Sequence, residues 1–313
     1  MRFIERLLGP RQRGRFRPVA PDHPVAGGLT FRARSFPRAG PLPWLDRPDA
    51  LDAIGAKLRR GEISEREATL ARDWLRDGVI LCERYFDGAR LDASWSAYEQ
   101  ALDAGLVTPD GEATEADPLP GRTLNVHFGV PEVDALLHEP SLVELVSMLL
   151  GAQALPFQTI MGHKGSEQRT HSDAIHMTTY PLGYLAAAWI AFEDITLDGG
   201  PLVYYPGSHR LPYVFSDDVG ISANEFHDLG YQSYHERYEP RIAELIAAEG
   251  IEPHFFTPLK GDVLLWHANL LHGGAPRTRL PASRRALVCH YFARGCVTYH
   301  DLAAAPSHLY ARQ

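Results

Sequence analysis

Thr170-His171-Ser172-Asp173 is the segment of this 313-residue chain best suited to chemistry. On a strand, residues two apart project to one face. An extended segment here would set the imidazole of His171 beside the carboxylate of Asp173. Together they supply two of the three ligands of a 2-His-1-carboxylate facial triad. Such a triad holds iron(II) on one face and leaves the other positions open for co-substrate and oxygen. Alone the triplet is weak, because most His-Asp neighbours are hydrogen-bonded or solvated pairs. A second histidine must come from a later strand, and Leu270-Leu271-His272-Gly273-Gly274 offers His272. Its glycines would let the backbone approach a metal closely. His267 is the rival, five residues earlier. The odd spacing puts the two on opposite faces of an unbroken strand, so only one can face the metal. His272 is preferred, with His267 as a core or supporting histidine.

A basic element follows in Ser283-Arg284-Arg285. A dicarboxylate that chelates iron through its keto-acid end needs its far carboxylate neutralised. Arginine does this with a rigid, always-charged fork. Neighbours on a strand alternate, so one arginine can enter the fold while the other meets solvent. A surface ion pair is the ordinary alternative.

The elements that must position these residues fall into two textures. Residues 1–47 are rich in Pro, Gly and Arg and read as an irregular basic arm. Residues 1–45 hold nine arginines against Glu5 and Asp22, although the whole chain carries a net charge of −8. The acidic remainder argues against nucleic acid as a partner and favours an arm that packs on its own domain. A single domain then runs over 48–313. Its helical part, 48–154, opens with a capping box at Ser64-Glu65-Arg66-Glu67. Further helices are expected near 91–104 and 131–150, the latter restarted by Ser141 after Pro140. The run 79–86 is strand-like. From about 155 to 300, short β-rich runs broken by Gly and Pro predict a mainly β sandwich or barrel. A polar insert at 217–257 interrupts it and is expected to cover the open face of the metal site as a lid.

Cys82, Cys289 and Cys296 are sparse and widely spaced, which suits a reducing cytoplasm rather than a disulfide framework. The first residues lack the apolar run of a signal peptide, and no stretch is long enough to span a bilayer. Cytoplasmic localisation is the expectation. Oligomeric state is not legible.

Across roughly residues 62–300 the chain resembles the phytanoyl-CoA hydroxylase family of 2-oxoglutarate oxygenases, which includes ectoine hydroxylase. The matching pieces are RDGVIL, EPSLVELVSMLLG, PFQTIMGHKG, THSD, WIAFEDITLDGGPLVYYPGSH, GDVLLWHANLLHGG and SRRALVCHYF. The resemblance implies a double-stranded β-helix (jelly-roll, cupin-like) core with flanking helices. It implies iron(II) held by His171, Asp173 and His272, with 2-oxoglutarate as co-substrate and O2 as oxidant. It places the 2-oxoglutarate arginine at Arg284, with Arg285 as fallback, and sets Gln158 and Trp189 along the co-substrate pocket. His209 matches a structural turn. One departure stands out. Relatives often carry a hydroxyl residue two places after the distal histidine, where this chain has Gly274. The carboxylate at Asp173 is present, whereas chlorinating relatives carry Ala or Gly there.

The chemistry implied is hydroxylation of an unactivated C–H bond, with release of succinate and carbon dioxide. His176, Tyr180, Tyr205, Tyr234 and His235 are candidate substrate contacts, which would suit a small polar or sugar-like molecule. A cupin-like metalloenzyme that does not use 2-oxoglutarate and a catalytically silent binding protein on the same barrel are the competing readings.

Overall fold

The computed structural model describes residues 31–38, 40–110 and 114–305, with the backbone of 16–18, 306 and 310–312. The arginines of the basic arm up to Arg15 lie outside the described residues. Its later part packs on the body: Arg32 is buried and donates to Ser216 Oγ at 2.6 Å, and Arg38 pairs with Asp218 at 2.8 Å.

Local rules account for the helical half. Five helices, α1 (Ala50–Arg59), α2 (Glu65–Asp77), α3 (Gly88–Asp103), α4 (Pro131–Leu137) and α5 (Pro140–Leu150), come before most of the strands. At the start of α2 the Ser64 amide donates to Glu67 Oε2 (2.7 Å) and the Glu67 amide to Ser64 Oγ (3.2 Å), the reciprocal box read from sequence. Gly78 ends it at φ 70°, and a Cβ there would lie 2.4 Å from the His209 ring. Any larger residue would collide with His209, which is why the turn takes glycine. The 131–150 region is two helices, and the second starts on Pro140 itself rather than on Ser141. Proline fits there because the first helical N–H has no partner anyway.

The strands in chain order are β1 (Phe16–Pro18), β2 (Val79–Cys82), β3 (Arg122–Leu124), β4 (Ala154–Gly162), β5 (Thr178–Tyr180), β6 (Leu185–Ala191), β7 (Leu202–Tyr204), β8 (His254–Phe256), β9 (Val263–His267), β10 (His272–Gly274), β11 (Ala286–Ala293), β12 (Val297–His300), β13 (Ala305–Pro306) and β14 (Tyr310–Arg312). β2 stops at Cys82, short of the expected 79–86, because Arg84 turns the chain at φ 47°. Six strands form the major sheet in the order β2-β9-β6-β11-β4-β3. Two three-stranded sheets, β10-β7-β8 and β13-β12-β5, oppose it. This is the mainly β jelly-roll core with flanking helices.

One face of the major sheet packs on helices: Leu142, Val146 and Leu149 of α5 join Met161, Ala188 and Leu287 in one apolar cluster. On the other face, Trp189, Leu264 and Trp266 meet Leu202 and Phe256 from the small sheet. Strand alternation therefore divides β4, β6, β9 and β11 between a helix-covered face and a barrel interior. The 217–257 segment holds α6 (Ala223–Leu229) and α7 (Glu239–Glu249), and its last residues form β8, a strand of the core paired with β7.

Candidate metal centre

His171 and His272 are locked together by the backbone. They form an antiparallel bridge in which each amide donates to the other's carbonyl at 2.9 Å. Asp173 does not continue a strand; it opens a single 3-10 turn, Asp173–Ile175, capped by the Ser172 hydroxyl. The expected i, i+2 strand geometry is thus replaced by a bridge residue followed by a turn. The two side chains still converge. Ligand atoms of His171, Asp173 and His272 all lie within 4.8 Å of one another, and all three residues are buried.

The donor set fits a divalent metal. His171 Nδ1 donates to the Arg169 carbonyl (2.9 Å) and His272 Nδ1 to the Leu270 carbonyl (3.0 Å). Those bonds fix the tautomer and leave both Nε2 lone pairs aimed inward. Trp266 Nε1 donates to Asp173 Oδ2 at 2.7 Å, while Oδ1 stands 3.6 Å from His272 Nε2. That gap is too long for a hydrogen bond and suits two atoms sharing one ion. Burial and the neighbouring His272 push His171 down to about 3, so it is a neutral ligand at physiological pH. Burial opposes charge on Asp173. The imidazoles of His272, His290 and His171, with the Trp266 N–H, outweigh it and hold the carboxyl below its ordinary range.

His267 turns away from this centre. Its Nε2 lies 3.1 Å from Asp46 Oδ2, and its Nδ1 accepts from the Asn269 amide. His209 packs 5.5 Å from His267 and against Gly78.

Arg284 enters the barrel and Arg285 leaves it. Arg284 is buried, donates to the Gly200 carbonyl at 3.0 Å and sits 5.8 Å from the Trp189 ring; its Nε has no partner. Burial, with Arg122 and Arg277 nearby, pushes it down to about 10, still a cation at neutral pH. The Arg285 side chain is 43% exposed beside Glu193 and lies over Trp95. One cavity contains the triad, Arg284 and Trp189. Its rim adds Arg122, Lys164, Ser166 and Gln168, none singled out from sequence. Lys164 and Arg277 are both bound by Asp117 at 2.7 Å, whereas Arg122 has no ion pair among the described residues.

The loop carrying Ser166 explains the missing hydroxyl at 274. A Cβ on Gly274 would lie 2.8 Å from both Ser166 Oγ and the Glu167 amide. The Ser166 hydroxyl therefore occupies the space a side chain at 274 would fill. The anomaly at Gly274 was the available signal for it.

Other expectations are corrected. Gln158 is not among the cavity's lining residues; it lies opposite His290 across β4 and β11, three strand pleats along from Arg284. None of the substrate candidates lines the cavity. Tyr180 stacks on Phe36 at 4.6 Å, Tyr205 packs beside Leu271, and Tyr234 is fully buried against Tyr238. His235 is a surface residue paired with Glu239 at 2.9 Å. His176 comes nearest, its ring 5.5 Å from that of His171, among Tyr231, Tyr234 and His300. The 217–257 segment is not a lid over this cavity. It buttresses the ligand loop from behind, where the Ser172 amide donates to the Tyr238 hydroxyl (3.3 Å). Aromatic residues serve packing and binding equally well, and composition did not separate the two.

The jelly roll with its inward triad has the architecture of the non-haem iron, 2-oxoglutarate-dependent oxygenases. Within that class, the phytanoyl-CoA dioxygenase (PhyH) family model matches residues 74–286, and the chain belongs to that family. It is 27% identical over 168 residues to the peroxisomal phytanoyl-CoA dioxygenase of Rattus norvegicus, covering 50% of this chain and 45% of that protein. The chain thus spans less than half the length of that relative. It is 27% identical over 284 residues to ectoine dioxygenase of Halomonas elongata, covering 82% and 80%. Among solved structures, the fold resembles the carbocyclase SnoK of nogalamycin biosynthesis (TM-score 0.58, 18% identity, 77% of this chain and 88% of that one). It also resembles EctD from S. alaskensis with bound Fe (TM-score 0.56, 23% identity, 79% and 86%). Iron(II) and 2-oxoglutarate are the cofactor and co-substrate of the class. No helix among the described residues is long and apolar enough to cross a membrane.

Proposed function

We propose that the chain is an iron(II)- and 2-oxoglutarate-dependent oxygenase that hydroxylates a C–H bond of a small polar metabolite. In this reading His171, Asp173 and His272 hold the iron. The observation that carries it is the pair of Nε2 lone pairs and one free carboxylate oxygen, each fixed by a hydrogen bond on its other atom and aimed at one point. When bound, the iron and 2-oxoglutarate supply the oxidising power, with O2 yielding succinate and carbon dioxide.

The chain's own residues do the placing. Arg284 neutralises the far carboxylate of the co-substrate, and Trp189 gives that carboxylate an apolar wall. Ser166 supplies the hydroxyl that Gly274 lacks. The buried barrel excludes water from the reacting centre. The relatives' names give two substrates of different kinds, phytanoyl-CoA and ectoine. A rim of Arg122, Lys164, Ser166 and Gln168 favours a polar molecule over a bare hydrocarbon chain.

The test is succinate release by the iron-loaded full chain across pools of polar metabolites, alongside iron binding. Activity that needs both iron and 2-oxoglutarate, and is abolished with iron binding in Asp173→Ala and His272→Ala, is expected. Tight iron binding without any 2-oxoglutarate turnover or binding would leave a different cupin-like metalloenzyme or a silent barrel.

A further inference from the structure

The positive charges around the metal cavity are not all matched, and the surplus falls on one residue. Lys164 and Arg277 are each held by Asp117 at 2.7 Å, and Arg277 also by Glu167 at 2.8 Å. Arg284 is buried and, in the oxygenase reading, faces the far carboxylate of the co-substrate. Arg122 lines the same cavity. A guanidinium has five N–H donors, yet the side-chain contact of Arg122 is a long one, 3.4 Å to Gln168 Oε1. Among the described residues no carboxylate stands within ion-pair range of it.

Strand alternation aims this side chain at the barrel. Arg122 opens β3 at the edge of the major sheet. Its neighbour Thr123 is buried on the helix-covered side, where its hydroxyl shares a 2.7 Å hydrogen bond with that of Tyr98 on α3. Arg122 therefore projects from the opposite face. Directly across on β4 stands Gly162. A Cβ there would lie 3.8 Å from Arg122 Cγ, so the arginine stem runs beside the space the glycine leaves bare. The residue stays exposed at the cavity rim. From there its charge is felt at His171, at Arg284, and at His176 and Tyr231. It overlooks both the metal end and the co-substrate end of the cavity.

Counting charges gives the missing ligand its sign. In the oxygenase reading, the two charges of the iron and the one on Arg284 are met by Asp173 and the two carboxylates of 2-oxoglutarate. Lys164 and Arg277 are met by Asp117 and Glu167. One positive charge is left over, and it stands where a substrate must pass. An ammonium group would be repelled there. A carboxylate would complete the balance, and a guanidinium grips it through two parallel bonds.

We propose that Arg122 is a specificity-determining residue that docks a carboxylate of the substrate at the cavity mouth, with the carbon to be oxidised lying farther in, towards the metal. This deepens the oxygenase reading above and rests on it.

The probes are three fragments of one size: n-butyrate, n-butanol and n-butylammonium. The full chain is loaded anaerobically with iron(II) and saturating 2-oxoglutarate, and the paramagnetic broadening of each fragment's proton lines is followed by NMR. Butyrate should broaden saturably, its methyl line more than the line of the CH2 beside the carboxylate; the other two fragments should bind at least tenfold more weakly. Arg122→Gln should weaken butyrate about tenfold, the value of a charge-assisted hydrogen bond at its low end. It should leave 2-oxoglutarate affinity, read by calorimetry, within about twofold. Raising salt from about 0.01 to 1 M shortens the screening length from about 30 to 3 Å and should weaken butyrate in the wild type far more than in Arg122→Gln. Arg122→Lys, which keeps the charge and loses the fork, should retain that salt dependence. Equal broadening of the three fragments overturns the inference alone. So does a CH2 line broader than the methyl line, which would put the carboxylate on the iron. Butyrate binding unchanged in Arg122→Gln also overturns it, as does a tenfold loss of 2-oxoglutarate in that variant. A wild-type chain that takes up iron but no 2-oxoglutarate overturns the oxygenase reading and the inference with it.

Discussion

Replacing Arg284 should separate co-substrate binding from metal binding. The guanidinium is buried, held by one bond to the Gly200 carbonyl, and its Nε is unpartnered. It is therefore placed for an anion that the protein itself does not provide. Truncation to Ala would leave the far carboxylate of 2-oxoglutarate buried and unpaired. Losing one partner of a buried charge pair typically costs about 2–5 kcal/mol, roughly 30- to 5,000-fold in affinity. The three metal ligands are untouched, so iron affinity should hold. Arg285 offers the control on the adjacent residue. Its side chain is 43% exposed, and its nearest carboxylate, on Glu193, is 3.8 Å away. Arg285→Ala should change 2-oxoglutarate affinity by no more than about 0.5 kcal/mol. Calorimetric titration of 2-oxoglutarate into both iron-loaded variants, made anaerobically, measures the difference directly. Equal losses in the two variants, or a loss confined to Arg285→Ala, would refute the assignment of Arg284 as the co-substrate clamp.

Trp266→Phe removes the 2.7 Å bond that turns one Asp173 oxygen towards the metal. Iron affinity should drop about 10- to 100-fold in a competition assay while the fold persists. Ser166→Ala should weaken 2-oxoglutarate by about 1.5–3 kcal/mol, or roughly 10- to 150-fold, if its hydroxyl replaces the one absent at 274; unchanged binding would leave Ser166 a spacer. Gly273→Ala sets a Cβ 2.7 Å from the Gln168 carbonyl oxygen, which is rigid backbone. It should lose about 1–3 kcal/mol of stability, read as a lower melting temperature. Burial, with His267 nearby, pushes His209 down to about 3, and burial pushes His300 down to about 4, against an ordinary 6.5. The unfolded chain therefore binds protons that the folded one refuses. Stability present above pH 6.5 should drain away as pH falls towards 4, at no more than about 1.4 kcal/mol per unit for each histidine. His209→Gln should flatten that slope in urea melts; an unchanged slope would show that His209 does not carry it.

What could be read from sequence was local and stereochemical. The Ser64 box, the stop at Gly78 and the opposite facing of Arg284 and Arg285 each follow from backbone geometry within a few residues. The preference for His272 over His267 assumed one unbroken strand, whereas β9 ends at His267 and β10 begins at His272, so the two face different surroundings because they belong to different sheets. Trp266 and His290 were not legible, because a buried aromatic beside a ligand looks like any core residue until the sheet order is known. The substrate candidates failed for a related reason. Tyr180, Tyr205 and Tyr234 have the residue types of a binding surface, but they fill gaps between elements far apart in sequence. Resemblance set Gln158 along the co-substrate pocket, yet its height along the barrel depends on the β4–β11 register, which no single strand encodes.

The paired backbone bonds between His171 and His272 have a kinetic meaning. Two of the three candidate ligands are closed into one small ring by their own main chain, and each imidazole is tied down further by its own Nδ1 bond. Peeling the loop after Gln168 from β10 is a local opening that breaks both backbone bonds at once and parts His171 from His272. Such an opening would shorten metal residence and speed amide exchange at both positions together. The segment that backs the loop through Tyr238 would set its pace from a distance.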